Sequence, residues 1–472
     1  MSTSRTDAAA VVVRPAPAER RPPTLESGKG RWIAHWEPED PDFWEATGQR
    51  VARRNLIFSI LAENVGFSVW SIWSVLVLFM GPGYGIDAAG KFLLVCVPTL
   101  VGAVLRVPYT FAVARFGGRN WTIFSAGVLL VPLILGTVVM HPGTSYGTFL
   151  LVAAFAGLGG GNFASSMANI NTLYPQRRKG WALGLNAGGG NLGVALVQLV
   201  GLLVIATAGK SAPRAVLGVY LPLVVLAALT AALRMDNITG VRNDTHALRG
   251  AVREPHTWVM SLLYIGTFGS FIGYSFAFGL VLQTQFGRTP LQAASVTFLG
   301  PLLGSLSRPL GGRLADRVGG SRVTVAVFLA LAAGIGILLV ATVQDSLAVF
   351  TVGFVFVFVL TGVGNGSTYK MIPAIFQAQA RAAVTSGTPP KVAERNARRL
   401  SGGALGLTGA IGAAGGLLVN LAFRGAYAKD PVTGVVGSGA PAFLTFLVFY
   451  LCCAAVTYGV YLRRSDAAVF AV

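Results

Sequence analysis

The sequence predicts an all-α membrane protein of twelve transmembrane helices, built as two parallel-repeat halves of six. Three observations predict it. Only 12% of the 472 residues are charged and 53% are hydrophobic, about half the ~25% charge of a soluble domain. Twelve apolar runs recur along the chain. Segments of the first half return in the second about 200 residues later, in the same order. The composition excludes a disordered chain, a disulfide-stapled secreted domain and an ordinary cytosolic enzyme.

Residues 1 to about 30 are rich in Ala, Pro and Arg and lack periodicity, which reads as a disordered tail. Arg20-Arg21 precedes no apolar run, so it is not a twin-arginine signal. In RWIAHWEPEDPDFWE (31–45), Trp32, Trp36 and Trp44 stand among acids, as expected of a lead-in lying on the membrane surface. Residues 1–54 are therefore expected to form a cytoplasmic tail and interfacial lead-in.

The apolar runs span about 55–80, 91–115, 120–140, 147–173, 180–206, 214–234, 257–283, 291–313, 322–343, 347–376, 400–423 and 441–462. Each can cross a ~30 Å hydrocarbon core at ~1.5 Å per residue, and in lipid each must be helical to satisfy its own backbone. Residues 55–234 make the N-terminal half, 235–256 a cytoplasmic linker, 257–463 the C-terminal half and 464–472 a cytoplasmic tail. Of the 37 Lys and Arg residues, 28 fall in the termini and alternate connections and six in the opposite connections, which places both termini in the cytoplasm. The remaining three, Arg106, Arg308 and Lys370, lie inside helices.

The formal charge of +19 does not signal a nucleic-acid partner, because the charges lie between apolar runs rather than along one face. Cys96, Cys452 and Cys453 fall in apolar stretches without metal spacing, and the four histidines do not cluster. No HExxH, nucleophile elbow or Walker A loop is present, so neither a metal site, a cofactor nor an enzymatic site is expected.

Three segments carry the repeat. LRVPYTFAVARFGGRNWT (105–122) matches SRPLGGRLADRVGGSRVT (307–324), so that Arg106 and Arg308 each precede an Arg-x-Gly-Gly by nine residues. ALGLNAGGGNLGVALVQL (182–199) matches ALGLTGAIGAAGGLLVNL (404–421), and Gly161-Asn162 matches Gly364-Asn365. Each match keeps its direction across the membrane, the signature of halves related by an axis along the membrane normal, with a substrate site between them near the midplane.

A cation at the bilayer centre costs about 2.5–3.5 kcal/mol on insertion scales. Arg106 and Arg308 lie well inside their helices, and neither helix 2 nor helix 8 holds an acid beside them. A structural salt bridge is one reading. The other is an anion site with one guanidinium from each half, since the planar fork of donors matches a flat trigonal oxyanion on two edges. Tyr264 and Phe268, four apart, share a face of helix 7. Phe163 lies on helix 4, and core packing is its plainer role. Glycines at four-residue spacing on helices 5 and 11, among them Gly184, Gly188 and Gly406, with Gly409 following, predict close helix seams across which one half can rock on the other. Asn191 is a polar amide in that seam, with Asn186 and Asn169 as weaker candidates. Glu63 is the only acid well inside a helix; it can pair with Lys370, bond a neighbouring helix or carry a proton. Lys370 can snorkel to the cytoplasmic face.

These residues resemble the major facilitator superfamily, with GGRLADRVGGSRV (311–323) similar to its cytoplasmic loop motif. The resemblance implies a major-facilitator-type fold in which Asp316 and neighbouring arginines such as Arg317 tie helix ends together; Ala114 stands at the acidic position of the first-half copy. GGGNFASSMANINTLYPQRRKGWALGLNAGGGNLGVA (159–195) resembles the signature region of the nitrate/nitrite porter family, with TGVGNGSTYKMIP (361–373), ALGLTGAIGAAGG (404–416) and YIGTFGSFIGYSFAFG (264–279) similar to its later segments. The resemblance covers nearly the whole chain after about residue 31. It implies transport of nitrate and nitrite across a bacterial inner membrane. It places the two essential arginines at Arg106 and Arg308, a donor at Tyr264, a site amide at Asn191 and flat apolar walls at Phe163 and Phe268.

Exchange of nitrate for nitrite moves no net charge and needs no titratable group, whereas proton symport needs a group that protonates, which an arginine does not supply. Few acids and no His lie on the expected path, so the sequence favours exchange, with nitrate/proton symport or exchange of another small anion as the competitors. A passive channel and a transport-dead sensor are the remaining classes; the intact Arg pair and both glycine-rich segments speak against the sensor. The expected surroundings are a lipid bilayer, and the expected state is a monomer.

Overall fold

The computed structural model describes residues 27–28, 30–241 and 245–463. Its helices run α1 Pro41–Phe79, α2 Ala88–Phe116, α3 Gly118–Val139, α4 Tyr146–Leu173, α5 Gln176–Ala208 and α6 Pro213–Arg234 in one half. The other half holds α7 Pro255–Phe286, α8 as Pro290–Thr297 continued by Leu299–Val318, α9 Gly320–Val343, α10 Leu347–Thr385, α11 Pro390–Ala426 and α12 Ala440–Leu462. Eleven of these are long and apolar enough to cross a membrane by length and composition. The twelfth, α8, is a full-length helix whose hydropathy is lowered by Arg308, Arg313, Asp316 and Arg317.

Local sequence chemistry sets the helix ends. The Asp87 side chain accepts from Gly90 N–H at 2.8 Å, and Thr289 and Gln292 form a reciprocal capping box at the start of α8. The repeat is visible at two hairpin corners. Gly117 (φ 86°) turns α2 directly into α3, and Gly319 (φ 100°) turns α8 into α9, a backbone conformation only glycine adopts without strain. Behind each corner a second glycine is hemmed in: a Cβ at Gly118 would collide with Asn169, and one at Gly320 would lie 2.6 Å from Met371.

The halves meet where α11 runs along α2, α8 along α5 and the end of α1 against α7. The face away from the chain ends is closed between them. There Phe92 stacks on Phe423 and Tyr427 (5.7 and 5.5 Å), Trp70 meets Phe276 edge-on at 5.6 Å, and Gln198 Nε2 donates to the Ser275 carbonyl at 2.6 Å.

At the face holding the chain ends, the structure adds contacts to the lead-in that the sequence does not show. Parts of residues 31–54 pack on the helix bundle. Helix α1 begins at Pro41, and Trp44, only 1% exposed, packs on Tyr174 at 5.6 Å in a cluster with Ile33, Leu56, Ile170 and Ile238. Trp32–Ile33 pairs in parallel with Asn237–Ile238 beyond α6, and antiparallel with Ser27–Gly28. Asp236 fixes this clamp: its carboxylate accepts from Arg31 (2.8 Å), Arg54 (2.6 Å) and Asn55 (2.8 Å). Removing a buried carboxylate leaves its donors without a partner. Asp236→Ala is therefore expected to cost roughly 2 kcal/mol, the half-exposed arginines limiting the loss. The melting midpoint of the detergent-solubilised protein should fall by several degrees; an unchanged midpoint would show that the clamp holds nothing.

The linker carries a short helix, Thr245–Arg253, seated on the start of α11. Asp316 pairs with Lys370 of α10 rather than with an arginine, and Arg317 is exposed. That pairing also corrects the expected alternative of a Glu63–Lys370 bridge.

Candidate functional site

Arg106 and Arg308 are both buried between the halves, 1% and 6% exposed. Arg106 rises from α2 into an aromatic slot, with its guanidinium carbon 4.6 Å from the Phe163 ring centre, 5.1 Å from that of Phe268 and 5.5 Å from that of Trp70. Desolvated cation–π contacts of this kind are each worth up to ~2 kcal/mol and offset part of the cost of burying the charge. Arg106 Nη1 donates to the Gly409 carbonyl of α11 at 2.8 Å, a bond that crosses between the halves, and Nε donates to the Gly160 carbonyl of α4 at 3.3 Å. Its Nη2 is buried and has no partner.

Arg308 enters from α8. Its Nη2 donates to the Tyr264 hydroxyl oxygen at 3.3 Å, which leaves the tyrosine's own proton free to be donated elsewhere. Its guanidinium carbon lies 5.5 Å from the Tyr369 ring centre, and its Nη1 is buried without a partner. Tyr264 stacks on Phe268 (5.2 Å, 11°), and Phe268 on Phe163 (6.2 Å, 30°), so a ladder of rings joins one arginine to the other.

Helix α7 carries Phe268 inside a π-helical turn, Ile265–Gly269, that begins directly after Tyr264. Such turns widen the helix locally and recur at functional sites. Gly412 of α11 lies against the Tyr264 ring, where a Cβ would collide with Cδ1, and Gly269 of α7 meets the backbone of Gly415 beside it.

Asn191 of α5 is buried, and both its amide atoms lack partners. Unpartnered donors on Arg106 and Arg308 and the free Tyr264 hydroxyl proton thus stand beside flat aromatic faces, and Asn191 is a further buried, open amide on α5. A small planar oxyanion is their chemical complement.

Several contacts were not singled out from the sequence: the Trp70 and Tyr369 rings over the arginines, and the carbonyls of Gly160 and Gly409 as acceptors, the latter glycine having been read only as part of a helix seam. Asn162 and Asn365, equivalent in the repeat, each keep a buried Oδ1 without a partner. Their only sequence signal was the paired Gly-Asn.

Glu63 lies apart from Lys370. Its Oε2 accepts from Ser166 Oγ (2.5 Å) and Asn186 Nδ2 (2.6 Å), Ser59 lies 2.9 Å from Ser166, and Oε1 is buried and unpartnered. Asn169 instead packs against Gly118.

The glycine rows are a second correction. A Cβ at Gly184, Gly188, Gly406 or Gly409 would meet nothing within 4 Å, as would one at Gly180 or Gly402. The close helix contacts are made by other glycines of the same helices: Gly190 and Gly193 against α1, and Gly412, Gly415 and Gly416 against α7. The four-residue spacing marks a face correctly but not its contact in this state. Gly184 and Gly188 share the face of Asn191, and Gly402 and Gly406 that of Gly409, so the rows lead from the site towards the chain-end face.

Residues 59–419 match the Major Facilitator Superfamily. The chain is 37% identical over 453 residues to the nitrate/nitrite transporter NarU of Salmonella typhimurium, covering 92% of this chain and 96% of that protein. It is 34% identical over 456 residues to the probable nitrate/nitrite antiporter NarK2 of Thermus thermophilus, covering 90% and 95%. A nitrite extrusion protein of Bacillus subtilis matches at 28% over 325 residues, 68% of this chain and 79% of that one. The crystal structure of a D-xylose-proton symporter superposes with a TM-score of 0.62 at 14% identity, over 86% of this chain and 97% of that one, a likeness of fold alone.

Proposed function

The chain belongs to the Major Facilitator Superfamily and, within it, to the nitrate/nitrite transporters, and from that premise we propose that it exchanges nitrate for nitrite through a two-arginine site. It is a multi-pass membrane carrier of nitrate and nitrite, not an enzyme. The observation that carries the proposed site is the set of buried donors left open on Arg106, Arg308 and Asn191. Nitrate takes Nη2 of Arg106 and Nη1 of Arg308 on separate edges, with Asn191 and the Tyr264 hydroxyl completing the shell. Phe163 and Phe268, stacked on each other with Arg106 beside both, line a space that favours a weakly hydrated planar ion over phosphate or sulfate.

The anion between the guanidiniums screens their repulsion and lets the halves close. The Arg106–Gly409 bond is one of the contacts that this closure remakes. The chain-end face is cytoplasmic by the charge count, the membrane is the bacterial inner membrane and the carrier works as a monomer. Bringing in a monovalent anion against 100 mV, negative inside, costs about 2.3 kcal/mol, a cost that one-for-one exchange removes.

Uptake of nitrate into proteoliposomes tests this. Internal nitrite should drive it, and a pH gradient should leave it unchanged. Uptake that ignores nitrite and requires the gradient would make the protein a symporter. Stronger uptake of phosphate than of nitrate would move it to another substrate class.

A further inference from the structure

The Glu63 carboxylate is bounded by the two helix turns that build the site. It accepts from Ser166, three residues beyond Phe163 on α4, and from Asn186 on α5. It also lies so close to Gly190, the neighbour of Asn191, that a Cβ there would collide with Oε1. The α4 and α5 side chains bonded to it, Ser166 and Asn186, are uncharged. The charged groups within its electrostatic reach are Arg106 and Arg308. Two short donors converge on one oxygen, at 2.5 and 2.6 Å, the arrangement that charge-assisted bonds to a carboxylate take.

With Glu63 ionised, the buried centre holds two positive charges and one negative. Resting on the two-arginine reading, we propose that Glu63 is the specificity residue that sets the charge of the site so that one monovalent anion neutralises it. The loaded carrier then has a neutral centre, and the empty carrier keeps one uncompensated positive charge. An uncompensated buried charge is costly, so the empty form reorients slowly and transport is tied to exchange. A divalent anion overcompensates and is disfavoured by the same count.

Calorimetric binding of nitrate and sulfate to purified wild type, Glu63→Gln, Glu63→Asp and Arg106→Lys tests the assignment. Removing one charge at this range should tighten nitrate binding on the order of tenfold in Glu63→Gln and raise the sulfate-to-nitrate affinity ratio by about as much, while nitrite-driven exchange slows. Glu63→Asp, which keeps the charge, should keep the wild-type ratio. The proposal is overturned if Glu63→Gln binds both anions as wild type does, or if Glu63→Asp shifts the ratio as far as Glu63→Gln. Should Glu63→Gln not fold, wild type decides: nitrate affinity constant from pH 6 to 8 supports a fixed carboxylate, and affinity rising towards pH 6 overturns it. Loss of nitrate binding in Arg106→Lys with an unchanged Glu63→Gln defeats the charge assignment alone. Retained binding in Arg106→Lys defeats the two-arginine reading beneath it.

Discussion

Nitrate uptake should fall by about 100-fold or more in Arg106→Lys and in Arg308→Lys, with the protein still inserted and monodisperse. Lysine keeps the charge at both positions, so the loss isolates geometry. The Arg106 guanidinium lies beside the Phe163 and Phe268 rings while one nitrogen bonds Gly409 and another stays open. A compact ammonium cannot keep both ring contacts and direct two separate donors from a planar fork. Arg308 splits its donors in the same way, one nitrogen on Tyr264 and one open. Proteoliposome uptake beside a size-exclusion profile measures this, and transport surviving in both variants would remove the site proposed here.

Gly412→Ala carries the second large effect. The added methyl would collide with Tyr264 Cδ1, so a ring that is also stacked on Phe268 at 5.2 Å must shift. The tyrosine must then leave its bond to Arg308. Nitrate affinity should weaken by roughly tenfold or more. Gly425→Ala, on the same helix but facing open space, should bind nitrate as wild type does. Equal affinity in the two variants would show that the seating of Tyr264 does not matter to the anion.

Much of this was legible in the sequence. Lipid forces apolar runs into helices, and a buried arginine is so costly that Arg106 and Arg308 stood out without an alignment. The Arg-x-Gly-Gly repeat falls at the two helix corners, where the structure gives Gly117 and Gly319 positive φ. What stayed hidden depends on tertiary partners. Trp44 looked interfacial because nothing local reveals that Tyr174 covers it. Asp236 gives no sign in sequence that Arg31, Arg54 and Asn55 converge on it. Lys370 is equally spaced for several acids, and only the fold selects Asp316. The glycine spacing was misread for a different reason: a carrier has more than one conformation, and a sequence pattern does not say which of them a face serves.

Those open glycine rows separate two properties that mutagenesis commonly merges. In this conformation a methyl at Gly184 or Gly406 enters empty space, and Gly→Ala inside a helix gains up to ~1 kcal/mol from helix propensity. Such a variant should melt higher than wild type. Any state that closes those faces must accommodate the same methyl against a neighbouring backbone. The gain is then confined to one end of the cycle and deepens that well relative to the other. A more robust protein in the calorimeter would be a slower carrier in the membrane, and the glycines would be maintained by turnover rather than by folding.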